Sequence, residues 1–188
     1  IALALWKFDA AGGLAAGPFL RPGYALAPGS RLSAQVLARG DALFVAAGRY
    51  NEFGNYDLAL LKYDLAGNLL FENAWHASSG GDDLPRALAA SPAGGGVVAA
   101  GGNPALAVWK FKDDGTFLSA QTLPNAAGAG ALAAAGTELW LAPGSGGAPY
   151  RFHGGIDISG SAGPQTSADV TPPVTSLAVA GPSVAAGG

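Results

Sequence analysis

His76 and His153 are the only imidazoles in the chain, and neither has a Glu or His at ligand spacing beside it. Zinc takes about four N, S or O ligands, and a general base needs its partner within hydrogen-bond reach, so both histidines read as loop residues. No Ser lies in a G-x-S-x-G elbow between a strand and a helix, and the absence of Cys removes a thiolate nucleophile, Cys-ligated zinc and any disulfide framework. Glu52, Asp82 and Asp83 offer the clustered oxygens that hard cations take, but without EF-hand spacing. The expectation is no catalytic residue, no metal site and no cofactor.

What remains for recognition lies in two segments, RYNEFGNYD (Arg49 to Asp57) and WHASSGGDD (Trp75 to Asp83). Tyr50, Asn51, Glu52, Phe53, Asn55, Tyr56, Trp75, His76, Asp82 and Asp83 mix aromatic faces with polar tips, which suits sugar or peptide binding if one surface gathers them. Whether it does depends on the elements that carry the two segments.

Those elements repeat. Lys7, Lys62 and Lys110, with Arg151 as a weaker fourth, are spaced by 55, 48 and 41 residues. Phe8, Tyr63, Phe111 and Phe152 follow them, and Gly12, Gly67 and Gly115 stand five positions after the first three. Turn formers such as YDLAGN between two apolar runs predict a hairpin, with Asp64 bonding nearby amides and Gly67 free to take positive φ. A second hairpin precedes each of the later three: Ser33 to Gly48, Pro85 to Gly101 and Ala129 to Gly144. Each unit thus offers four short strands.

Leu58, Leu60 and Lys62 point to one side of a strand and Ala59, Leu61 and Tyr63 to the other, yet both sides are largely apolar. A sheet with one wet face would alternate more cleanly. Four-stranded antiparallel sheets covered on both faces predict an all-β fold, a partial β-propeller built of blades. The Lys stems are expected to lie on the sheet with the ammonium wet or paired with Asp9 or Asp64, and Trp6 and Trp109 to pack between blades. Gly and Pro interrupt the Ala-rich segments too often for a helical solenoid.

With 49% apolar and 12% charged residues the composition supports a packed core. A net charge of −3 with no basic run argues against nucleic acid as a partner. No apolar stretch reaches the ~18 to 20 residues of a membrane span, so no membrane insertion is expected.

DLALLKYDLAGNLLFENAW and LAVWKFKDDGTFLSAQTL, each preceded by a VAAG strand, resemble the bacterial delta-60 and seven-bladed β-propeller repeat family. The resemblance covers residues 1–160 and implies about three and a half blades, with the rest of the polypeptide completing the propeller. FKDDGTF, Phe111 to Phe117, resembles the Asp-box turn of sialidase-type propellers, but Phe111 stands where the box begins with Ser or Thr, so it reads as an ordinary blade turn. Residues 161–173 are rich in Ser, Thr, Pro and Gly and read as a linker, and 174–188 resemble the start of an immunoglobulin-like β-sandwich module. The resulting expectation is a non-enzymatic binding or display module of an exported or cell-surface bacterial protein, with a protein or carbohydrate partner. The alternative is a propeller-fold hydrolase or lyase acting on glycans, with its catalytic residues mostly outside this chain.

Overall fold

The computed structural model describes residues 2–24, 34–76, 81–92, 94–103, 105–135, 138–145, 150–152, 165–166, 176–180 and 183–187. They form an all-β fold of antiparallel strands, with no helix among them. β1 (Ala2–Phe8) pairs with β2 (Leu14–Pro22) as a two-stranded sheet. β3 (Ala34–Arg39), β4 (Ala42–Tyr50), β5 (Tyr56–Asp64) and β6 (Leu69–Trp75) form a four-stranded meander in chain order.

The next meander comprises β7 (Asp82–Ala90), β8 (Gly96–Asn103), β9 (Ala105–Lys112) and the first part of β10 (Phe117–Ala135). β10 is shared. Phe117 to Leu123 pair with β9, whereas Ala127 to Ala135 pair with β11 (Glu138–Ser145). β12 (Tyr150–Phe152) and β13 (Gln165–Thr166) then complete a second four-stranded unit on the same ladder. Between the two halves of β10 the register slips between Leu123 and Ala127, a span that contains Pro124, which has no N–H to give a ladder. The linker expected at 161–173 lies outside the described residues apart from β13. Within 174–188 the described residues form one antiparallel hairpin, β14 (Ser176–Ala180) and β15 (Ser183–Gly187).

The apolar strands are covered on both faces. Ala59, Leu61 and Tyr63 of β5 and Val45 and Ala47 of β4 cluster with Leu3 and Leu5 of β1. The opposite face, with Leu58, Leu60, Phe44 and Ala46, meets Val97, Ala99, Trp109 and Phe111 of β8 and β9. The far side of those strands, Val98, Ala100, Leu106 and Val108, packs on Leu139 and Leu141 of β11. Double-sided burial is the physical reason that β4 and β5 read as continuous apolar runs rather than alternating ones.

The repeated Lys-aromatic-turn-Gly phrase forms the seams between sheets. Each turn is a tight hairpin: in the second sheet the Gly67 amide donates to the Asp64 carbonyl at 3.1 Å, and Gly67 sits at φ +91°. Asp64 Oδ1 accepts from the amides of Ala66 and Asn68 at 2.9 and 2.8 Å, as Asp9 Oδ1 does from those of Ala11 and Gly13 at 2.9 and 2.8 Å. Lys7 Nζ donates to the Leu65 carbonyl at 3.2 Å, and Lys62 Nζ to the Asp113 carbonyl at 3.0 Å. Lys7 and Lys62 thus bond the turn of the following sheet, where the expectation was an ammonium left wet or paired with Asp9 or Asp64. A backbone carbonyl at a turn is a fixed acceptor within reach of a Lys stem laid across the sheet, and it leaves the carboxylates to hold their own turns.

Phe19 lies against Gly67 in the same way that Phe71 lies against Gly115: a Cβ added at either glycine would fall 2.2 or 2.5 Å from the ring. Asn73 Nδ2 also donates to the Gly115 carbonyl at 2.8 Å, and Arg39 Nη1 donates to the Gly96 carbonyl at 2.7 Å and to Asp113. Trp109 is buried between sheets as expected, but Trp6 is 54% exposed. Its outward face has no sheet against it among the described residues.

Candidate functional site

β4 and β5 are joined by a five-residue loop whose shape is set by Asn51. Its Oδ1 accepts from the amides of Phe53 and Asn55 at 2.9 and 3.3 Å, and its own amide donates to the Asn55 carbonyl at 2.9 Å. Short Asn side chains favour such turns because they imitate a backbone acceptor two residues on. The remaining Asn51 Nδ2 donates to Asp57 Oδ1 at 2.6 Å, so the turn former also orients a carboxylate.

His76, at the end of β6, joins Asp57 from the other side, with Nδ1 2.9 Å from Oδ1. The Phe53 ring stacks on the imidazole, with centroids 6.0 Å apart and planes inclined by 25°. Phe53 is 74% exposed, so its outer face is open to solvent. At the start of β7, Asp82 Oδ1 accepts from the Tyr56 amide at 3.1 Å, tying the next sheet to this rim, and Asp83 is buried.

Ligand atoms of Asp57, His76 and Asp83 lie within 4.8 Å of one another. One imidazole nitrogen with two carboxylate oxygens is a donor set that zinc or manganese class cations accept, and Asn51 would orient one of the carboxylates. Asp57 and Asp83, rather than Glu52 with Asp82 and Asp83, are therefore the acids this rim converges on His76.

The ten residues expected at the rim divide. Asn51, Phe53, His76 and Asp83 come together around Asp57, while Asp82 holds the neighbouring Tyr56 amide. Glu52 is exposed at the loop tip, and Asn55 closes the turn. Tyr50 and Tyr56 pack edge to face with centroids 5.2 Å apart, and Tyr56 is buried. Trp75 turns into the seam, against Trp109 at 5.7 Å and Phe117 at 5.5 Å. Burial of an indole between apolar sheets outweighs its display on a loop, because it removes more apolar area from water than any other side chain. His153 lies outside the described residues.

A charged group at the first seam went unread in the sequence. Glu72 of β6, with its side chain 9% exposed, accepts from Arg21 Nε and from the Tyr24 hydroxyl at 3.1 Å, while Arg49 Nη1 approaches it at 3.5 Å. Burial, reinforced by the Glu72 carboxylate, pushes the Tyr24 phenol well above its ordinary pKa. Nothing in the spacing of 21, 24, 49 and 72 announces their meeting, since it depends on how two sheets stack.

Among the described residues no helix is long and apolar enough to cross a membrane. No protein-family model matches the chain, and no curated protein matches it either.

Proposed function

We propose that the chain is a run of β-propeller blades serving as a non-enzymatic binding or display module of an exported or cell-surface bacterial protein. The observation that supports this reading is the seam. Successive sheets are covered on both faces, and Lys7 to Leu65 and Lys62 to Asp113 repeat one contact from sheet to sheet. Sheets that dock by a repeated contact are related by a repeated rotation, and a rotation that divides the full circle closes such a series around an axis, which is the arrangement this reading assigns. The rim bearing Phe53, His76 and Asp57 is the binding surface in this reading, with a carbohydrate or a peptide as ligand. An exposed aromatic face beside a polar pair is the chemistry such ligands use. Electron cryomicroscopy of the polypeptide that carries these residues tests it. Sheets set radially around an axis are expected, and sheets stacked in a straight row would overturn the reading.

A further inference from the structure

The carboxylate of Asp57 and the imidazole of His76 are not demanded by the repeat. Leu58 pairs with Trp75 in the second sheet as Leu3 pairs with Arg21 in the first and Leu106 with Leu123 in the third. The residues that adjoin these pairs are Asp57 and His76 in the second sheet, Ala2 and Pro22 in the first, and Ala105 and Pro124 in the third. Equivalent strands thus form with Ala and Pro at the two places, so the acid and the imidazole answer to something other than the fold.

Asp83 comes from β7, the first strand of the following sheet, and is 5% exposed, while the side chain of Asp57 is 16% exposed. Their ligand atoms and that of His76 lie within 4.8 Å of one another. Two carboxylates this close repel where water is scarce, and a divalent cation neutralises both, leaving no net charge when the third ligand is a neutral imidazole. The loop that shapes Asp57 also keeps an acceptor over, since Asn55 Oδ1 is buried and has no hydrogen-bond partner. A bound ion or its water is one of the few things that account for such an atom.

The spacing suits zinc. Two ligands about 2.0 to 2.1 Å from a tetrahedral zinc stand ~3.3 Å apart, and His76 Nδ1 is already 2.9 Å from Asp57 Oδ1. With 4.8 Å as the upper bound on the spacing of the three, closure takes a side-chain movement of roughly 1.5 Å at most. His76, its side chain 38% exposed, has room to move toward the buried Asp83. Calcium takes about six to eight oxygens, and a triad with a nitrogen among its three donors fits it poorly.

We infer that Asp57, His76 and Asp83 bind one zinc ion, with His76 ligating through Nδ1 and the fourth position open to water. The proton that joins Nδ1 to Asp57 Oδ1 passes to solvent as the ion takes its place. The ion ties β5 and the end of β6 to β7 of the next sheet. The inference rests on three side chains of the rim and not on the propeller reading.

Zinc chloride titrated into the metal-free 188-residue chain, followed by calorimetry, is the test. One equivalent is expected to bind with a micromolar or tighter dissociation constant, and zinc at about a hundred times that constant to raise the melting temperature by about 5 °C or more. The imidazole NMR signals of His76 are expected to shift and those of His153 to stay in place. His76→Ala and Asp57→Asn, each with an unchanged circular dichroism spectrum, are expected to bind at least about tenfold more weakly. Glu52→Gln, at the exposed loop tip, is expected to bind within about twofold of the parent. No binding in the micromolar range, binding that survives in both site variants, a shift of His153 instead of His76, or calcium bound as tightly as zinc would overturn the inference. So would binding lost in Glu52→Gln, which would move the site to the loop tip. None of these outcomes bears on whether the sheets stand around an axis, which their arrangement alone decides.

Discussion

Lys62 crosses a seam to donate from Nζ to the backbone carbonyl of Asp113 at 3.0 Å, and it does so from the strand position at which Lys7 reaches Leu65. The cation is thus a joint between sheets, which explains why a charge recurs at the end of an otherwise apolar strand. Lys62→Met keeps the apolar stem and removes the donor. It is expected to cost about 1 kcal/mol, a fall of ~2 to 4 °C in melting temperature for a chain of this size. Lys112→Met, on an exposed side chain, is expected to change it by less than about 0.5 kcal/mol. Thermal melts of the two variants that coincide would deny the joint.

Gly67 and Gly94 both take positive φ, at +91° and +76°, so Ala at either is expected to lose about 1 kcal/mol to backbone strain. They differ in what lies above them. A Cβ on Gly67 would fall 2.2 Å from the Phe19 ring, whereas nothing lies within 4 Å of one on Gly94. Gly67→Ala is therefore expected to cost about 2 to 3 kcal/mol in urea melts, as overpacking adds to strain. In a Phe19→Ala background the cost of the same change is expected to drop toward about 1 kcal/mol. An undiminished cost there would place the damage in the turn alone.

The strands and turns were legible because they are local. Asp64, Gly67 and the apolar runs each carry their own short-range signal. The seams were half legible: the recurrence of Lys62 and its relatives was plain, but its acceptor lies 51 residues onward and is a backbone atom, which no side-chain pattern marks. The rim was legible as two loops, not as a constellation. Trp75 and Tyr56 fall in the two loop segments, so the sequence alone reads them as displayed. Stacking of the sheets decides otherwise, and it brings in Asp57, which carries no signal of its own at the end of the segment Arg49 to Asp57.

Acid should loosen the turn before the sheet. The Asp64 carboxyl is held below the usual carboxylate range, first by the Asn68 side chain and then by the Asn68 amide, with Ala66 and Gly67 contributing. A depressed folded-state pKa gives stability that is present above the unfolded value of about 3.9 and is lost as pH falls through the folded value. Asn68→Ala removes the first cause, so the variant is expected to lose stability near neutrality and to unfold at a somewhat higher pH, the two chains converging only below the folded value. Circular dichroism during acid titration reads this, and a downward move of the midpoint would contradict the assignment.

Binding and stability should separate at the rim. Tyr56 is buried and Trp75 packs edge to face on Trp109 and stacks on Phe117, so Ala at either is expected to cost about 2 to 4 kcal/mol whether or not a ligand exists. Phe53, 74% exposed and supported only from beneath by His76, can be cut to Ala with a change within about 0.5 kcal/mol. Its open face is then the part of the rim that a sugar ring or an aromatic peptide side chain would cover. On glycan and peptide arrays, a ligand whose affinity falls at least tenfold in Phe53→Ala, with the melting temperature unchanged, locates binding at this rim. If affinity is lost only in variants that also melt early, the rim takes no part in binding, and Phe53 is a solvent-facing cover for the His76 and Asp57 pair.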